Sequence, residues 1–246
     1  MPADLKPDNI LVSANFSTVK LADFGSAFFE TDFDNGESSV TFSSLKVDAT
    51  LQTCRPSLIN FRHLDPTPYL VSRFYRPPEV ILGLEYDRSV DLWSTSVTLA
   101  ELFTGSVLFP GKTNNDMIVR FMDAMGPISH KMAKRHALSY ARMGLQPHFE
   151  VGITGGTYQL RKQDVDRVTG QAVCCMLNVL SAKADARLVQ VLLRASKGGG
   201  ASERVDVLKF ADFLNRCLAL DPARRLSVRD ALRHEFFIKK KKKVDT

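Results

Sequence analysis

No run of this sequence is apolar for long enough to cross a bilayer, and Asp4 and Lys6 interrupt any signal-peptide pattern at the start. Cysteine is scarce. Cys54, Cys174, Cys175 and Cys217 lack the spacing of a metal site, and adjacent Cys174 and Cys175 are poorly placed to bridge each other. Free thiols in a reducing compartment, and so an intracellular soluble protein with no membrane partner, are the expectation. Positive charge is also scarcer than the net charge of +6 implies, because the lysines of 239–243 supply five of those charges. The rest is nearly neutral, so no broad nucleic-acid-binding face and no direct nucleic-acid binding are expected. Internal repeats are lacking. What remains is ordinary globular material, 246 residues that are 44% hydrophobic and 24% charged, enough for one sizeable core.

The densest chemistry lies in the first 25 residues. Asp4-Leu5-Lys6-Pro7-Asp8-Asn9 is followed by an apolar β-branched run, a turn at 13–17, the alternation Val19-Lys20-Leu21, and then Asp23-Phe24-Gly25. This reads as a β-hairpin that sets the two polar turns side by side at one mouth. Carboxylates, an amide and a lysine on two tight turns suit the holding of metal ions and phosphate against a nucleophile.

Downstream, 28–66 has no clear periodicity, with Glu30, Asp32, Asp34 and Glu37 ahead of a Ser/Thr-rich stretch, and reads as a long surface loop. Pro77-Pro78 fixes an extended turn before a short helical segment. The pattern over 89–105 is apolar on most sides, which predicts a buried central helix stopped by Gly105. Asp91 on such a helix needs partners. A further helix is expected at 115–125. Over 126–202 the signal weakens, and helical pieces interrupted by Gly155-Gly156 and Gly198-Gly199-Gly200 are expected. The stretch 204–220 is amphipathic, with Val207, Ala211, Leu214 and Leu218 on one side. Asp221-Pro222 opens a turn, and Ser227 with Asp230 resembles a capping box for a helix running to about His234.

Asp4-x-Lys6-x-x-Asn9, Asp23-Phe24-Gly25, Pro78-Glu79, Asp91-Leu92-Trp93-Ser94, Phe109-Pro110-Gly111 and Asp221-Pro222-x-x-Arg225 occur in that order, and the set resembles the eukaryotic protein kinases from Asp4 to about Phe237. Arg73-Phe74-Tyr75-Arg76 and a long segment at 114–204, placed as that group's insert, are similar to the CMGC group. T-P-Y-L-V-S-R-F-Y-R and L-F-P-G-K-T-N-N resemble its pre-mRNA-processing serine/threonine kinases.

The resemblance implies an α+β architecture: a mainly helical C-terminal lobe over 1–238, with a short β-hairpin at the active site, an activation segment at 23–79 and a basic tail at 239–246. It implies ATP-dependent phosphoryl transfer to protein Ser/Thr with Mg²⁺. Asp4 would orient or deprotonate the substrate hydroxyl, and Lys6 would offset charge on the transferring phosphate. Asn9 and Asp23 would ligate Mg²⁺. Glu79 and Arg225 would form a buried ion pair, and Asp91 would accept hydrogen bonds from the catalytic-loop backbone. Tyr69 would be an activation-loop phosphosite. Arg73 and Arg76 either pair its phosphate bidentately or bind carboxylates or backbone carbonyls. Ser72 would sit near Asp4 and Lys6. Protein substrates, arginine/serine-rich splicing factors among them, and a nuclear location are implied. The lysine run reads either as a nuclear-localisation signal or as a solvated tail.

Some residues depart from the family pattern. Pro2 stands where a histidine normally precedes the aspartate, Ala3 where many kinases carry arginine, and Pro77 where alanine is usual; the loop 26–66 is long. No glycine-rich phosphate loop, nucleotide-pairing lysine, partner glutamate or hinge is found in the 246 residues. The N-terminal lobe is therefore expected to be absent, and the chain alone not to turn over ATP. Two readings stay open: a fragment of a true kinase, or a non-catalytic C-lobe kept as a protein-docking module.

Overall fold

A helix whose two sides are both apolar has to be surrounded, and α2 (Ser89–Thr104) is. The computed structural model describes residues 1–27, 70–151, 157–165, 171–178, 187–196 and 200–238. Val90, Trp93, Val97 and Ala100 of α2 are fully buried, whereas Leu102 and Phe103 near its end are exposed. Gly105 ends the helix in the left-handed region at φ 72°, with its N–H on the Glu101 carbonyl at 2.7 Å, a conformation that glycine adopts without a Cβ penalty.

The other elements gather round α2. A 3₁₀ turn (Pro7–Asn9) leads into β1 (Ile10–Val12), which pairs antiparallel with β2 (Val19–Leu21) in the register Leu11 to Lys20. A second 3₁₀ turn (Arg73–Tyr75) precedes α1 (Pro78–Ile81). α3 (Asn114–Met125) starts on the Thr113 hydroxyl, which accepts the Asp116 N–H at 3.1 Å, and buries Met117, Ile118, Phe121 and Met122. Phe121 meets Trp93 and Phe109 edge-on, at ring separations of 5.1 and 4.9 Å. Such pairs add about 0.5–1.5 kcal/mol beyond their buried area.

α6 (Ala201–Cys217) buries the expected Val207, Ala211 and Leu214, and Leu218 is buried just past its end. Asp221 caps the 3₁₀ turn Pro222–Arg224. α7 (Val228–Leu232) is shorter than expected, since Arg233 and His234 donate to carbonyls three residues back and tighten the last turn out of the α form. Its Ser227 cap accepts the Asp230 N–H. The Asp230 carboxylate returns to the Ser227 hydroxyl at 2.6 Å, not to the backbone N–H that a capping box would use.

The region 126–202 differs from expectation. α4 (His130–Arg142) and α5 (Arg187–Ala195) are helical, but between them β3 (Phe149–Val151), β4 (Tyr158–Val165) and β5 (Ala172–Asn178) form an antiparallel sheet in the order β3-β4-β5. Pairing decides the matter. Leu160, fully buried, lies opposite both Phe149 and Leu177, so the three strands share one apolar point on the core.

Two histidines fasten this region to the segment after α1. His136 Nε2 accepts the His148 N–H at 2.8 Å, so the ring proton sits on Nδ1, which donates to the Leu82 carbonyl at 2.8 Å. The Tyr140 hydroxyl donates to the Ile81 carbonyl at 2.6 Å, and the two imidazoles stack at 5.2 Å. Burial lowers His136 to about 4 and His148 to about 3, the latter with help from His136.

The loop expected at 28–66, the Tyr69 position and the tail at 239–246 lie outside the described residues.

Candidate active site

Pro7, with no N–H to satisfy, opens the 3₁₀ turn, and Asn9 closes it with its N–H on the Lys6 carbonyl at 3.0 Å. The turn is anchored from below. Ala3 is buried in the left-handed region at φ 59°, costly for a residue with a Cβ, and donates its N–H to Asp91 Oδ1 at 2.9 Å. Asp91 thus has the backbone partner expected of it. Burial still raises its carboxyl above the ordinary value, and the Ala3 bond offsets only part of that.

Asp4, Lys6 and Ser72 form a closed set. Lys6 Nζ donates to Asp4 Oδ2 at 2.7 Å and to Ser72 Oγ at 3.0 Å, while the Ser72 N–H donates to Asp4 Oδ1 at 3.1 Å. Asp4 and Lys6 stand 2 residues apart in the chain and Ser72 another 66 beyond Lys6, so the fold alone brings the third member in. Partial burial works against ionisation of Asp4, but the hydrogen bonds from Lys6 and Ser72 outweigh it and hold the carboxyl below its ordinary value. Asp4 is therefore an acceptor-only carboxylate at neutral pH. Asn9 is buried and donates Nδ2 to the Asp4 carbonyl at 2.8 Å, which fixes the amide and leaves its oxygen as the acceptor end.

The hairpin brings Asp23 to the same mouth, since the Ala22 N–H bonds the Asn9 carbonyl at 2.9 Å. Asp23 is exposed, at φ 56°, and accepts the Gly25 N–H at 3.2 Å. Among the described residues no group of three His, Cys, Asp or Glu side chains is placed to hold a metal. The donor pair at this mouth is instead one amide and one carboxylate. That all-oxygen set fits Mg²⁺, which keeps several waters and takes few protein ligands.

Glu79 and Arg225 lie under the site, both side chains fully buried, joined by Nη1–Oε1 and Nη2–Oε2 bonds of 2.7 and 2.9 Å. Arg225 also donates to the Ser89 and Ala219 carbonyls and lies over the Trp93 ring at 5.1 Å. Its charge is fully compensated. Sequence reasoning missed the next contact: the Tyr75 hydroxyl donates to Glu101 at 2.7 Å, while Ser94 Oγ donates to the Tyr75 carbonyl at 2.9 Å. No local pattern announces it, because the partners sit on α2 and face the segment only after folding.

Arg73 Nη1 donates to the Lys112 carbonyl at 2.9 Å, and Arg76 donates to the Val71 carbonyl and Asn114 Oδ1 at 2.8 and 2.9 Å. The Lys112 and Val71 carbonyls are partners of the second kind anticipated for the two arginines, the Asn114 amide is of neither kind, and Tyr69 is outside the described residues. The hairpin presents an open apolar surface: Leu11, Val12, Phe16, Val19, Leu21 and Phe24 are all exposed.

The protein kinase domain family matches residues 1–237. The serine/threonine-protein kinase prpf4B of Dictyostelium discoideum is 35% identical over 95% of this chain and 23% of its own length. The serine/threonine-protein kinase prp4 of Schizosaccharomyces pombe is 34% identical over 97% of this chain and 40% of its own. Human dual specificity tyrosine-phosphorylation-regulated kinase 3 is 29% identical over 96% of this chain and 32% of its own. The chain thus spans well under half the length of these relatives. The ordered motifs lie within the matched stretch, and the chain belongs to the protein kinase family.

Proposed function

We propose that the protein is a serine/threonine protein kinase of the CMGC group that acts on protein substrates in pre-mRNA processing in the nucleus. The observation that carries this reading is the closed set of Asp4, Lys6 and Ser72. Phosphoryl transfer asks for positioning and charge compensation more than for covalent chemistry. Asp4, held ionised, accepts the hydrogen bond of the incoming hydroxyl, aims its oxygen and takes its proton. Lys6 balances negative charge on the phosphoryl group in flight. Ser72 couples the segment that leads into α1, where a peptide would lie, to both. Asn9 and Asp23 would hold Mg²⁺, which supplies charge neutralisation at the phosphates of ATP when bound. Asp91, through Ala3, and Glu79 with Arg225 keep these groups in place.

The apolar hairpin surface supports a nucleotide site of which these residues form the floor. The groups that would cover ATP are not among the 246 residues, which alone are expected not to turn it over. The names of the Dictyostelium and fission-yeast relatives favour serine or threonine as acceptor, and splicing factors as substrates are part of the same reading. Phosphorylation of Tyr69 would draw Arg73 or Arg76 from its present partners.

A chimera tests this. Residues 1–238 replace the matching part of the fission-yeast relative, and transfer of labelled phosphate from ATP to a serine peptide is measured. The expected result is activity that falls by about 10²- to 10⁴-fold on Asp4→Asn. A folded chimera with no activity before that change would overturn the reading and favour the docking module.

A further inference from the structure

The two edges of the β3-β4-β5 sheet are unlike each other. The β3 edge is three residues long and carries Glu150, an ordinary protected edge. The β5 edge is seven residues long, reads Ala-Val-Cys-Cys-Met-Leu-Asn, and has no charge, no proline and no glycine. All seven residues pair with β4 on one side. No backbone group of β5 bonds on the other side among the described residues. In an antiparallel ladder alternate residues direct N–H and C=O outward, so among the described residues this edge offers a row of unmet backbone groups. Val173, Cys174, Cys175 and Met176 are exposed in succession, so both faces of the strand are open there and no described residue shields the row.

We propose that β5 is a self-association edge on which a second copy of this chain adds its own β5, antiparallel, across a two-fold axis. The strand suits itself as partner. With no charged residue in it, self-pairing sets no like charges opposite each other, and exposed Val173 and Met176 gain cover. Only one two-fold register pairs all seven residues, the one centred on the middle residue, Cys175. That register sets Cys175 opposite Cys175 of the second copy and Cys174 opposite Met176. Facing residues in an antiparallel pair have Cα atoms about 4.5–5.5 Å apart, inside the range a disulfide spans. The contact is small, so the pairing is weak and concentration-dependent in its reduced form. It does not rest on the kinase reading.

The thiols make the register readable. Oxidised glutathione is the trap. A Cys175 thiolate attacks it and releases one glutathione thiolate, and the Cys175 thiolate of the second copy then displaces the other. Two protein thiols lose two protons and two electrons, and one glutathione disulfide becomes two glutathione thiols. The full chain carrying Cys54→Ser is incubated at rising concentration with oxidised glutathione and run without reductant. Cys217 stays, as burial raises its thiol to about 11. The expected result is a disulfide dimer that rises with concentration, is lost in Cys175→Ser and persists in Cys174→Ser. A second variant, Met176→Lys, keeps the Cys175 thiol and puts a charge on an already exposed position. It is expected to lose the dimer while keeping its circular dichroism and melting temperature. A dimer through Cys174, a dimer indifferent to Met176→Lys, or no dimer at all would each overturn the proposal.

Discussion

Glu79 and Arg225 are 146 residues apart in the chain and meet side by side, with both polar ends of the carboxylate taken by the guanidinium. Neither is accessible to water, so the pair has no aqueous fallback. Removing Arg225 leaves a buried carboxylate uncompensated, and removing Glu79 leaves a buried cation. Arg225→Ala and Glu79→Ala are each expected to cost about 3–5 kcal/mol, read as a drop in the urea midpoint. The double replacement by methionines should cost much less than the sum, because it leaves no orphan charge. Equal costs for single and double variants would contradict the account.

Asp91 and Ala3 predict a local effect. Asp91→Ala removes the acceptor of the Ala3 N–H, which holds a left-handed alanine just ahead of the Pro7–Asn9 turn. A loss of about 1–3 kcal/mol is expected, together with faster amide exchange at residues 3–6. Asp91→Asn keeps an acceptor oxygen and should retain most of the protection. Unchanged exchange in Asp91→Ala would remove Asp91 from its anchoring role.

The histidine pair gives a pH dependence. Both residues titrate near the ordinary value of about 6.5 when unfolded. In the fold burial lowers them to about 4 and about 3. Between those values the unfolded chain binds more protons, so stability is full above about pH 6.5 and falls as the pH is lowered toward 4. The slope is about 1.4 kcal/mol per pH unit for each histidine. Urea melts at pH 7, 6 and 5 measure it, and His136→Gln should flatten the curve. A slope unchanged by that substitution would assign the loss to other groups.

Gly111 predicts a packing effect. A Cβ there would lie 2.8 Å from the Met117 backbone N and 2.6 Å from its sulfur. The sulfur can swing away but the backbone at the start of α3 cannot. Gly111→Ala is expected to cost about 1–3 kcal/mol and to shift the 109–117 segment against Trp93. Near-ultraviolet circular dichroism of that tryptophan checks it.

Much of the site was legible because its signals are local or ordered along the chain. The hairpin β1–β2 follows from alternation around a polar turn, α2 from an apolar run closed by Gly105, and the motif set from its order. The sheet β3-β4-β5 was not legible. Tyr158–Val165 reads Gln-Leu-Arg-Lys-Gln-Asp in its middle, residues that favour no strand, and β3 has only three residues. Its strand character comes from Leu160 finding Phe149 and Leu177, which no window along the chain contains. His136 was silent for a similar reason, since its partners are a carbonyl 54 residues away and the backbone N–H of His148, 12 residues on in the loop before β3.

The separation of Glu79 and Arg225 also sets an order of events during synthesis. Ribosomes add about 5–20 residues per second, so Glu79 has left the peptidyl-transferase centre for on the order of ten seconds before Arg225, 146 positions later, is even joined. For the later part of that interval the residues of α2 have been made but lack the cation that lies over Trp93 in the fold. The nascent chain is then most exposed to chaperones and proteases, and synonymous codons that slow the ribosome before Arg225 lengthen that window without altering a single residue.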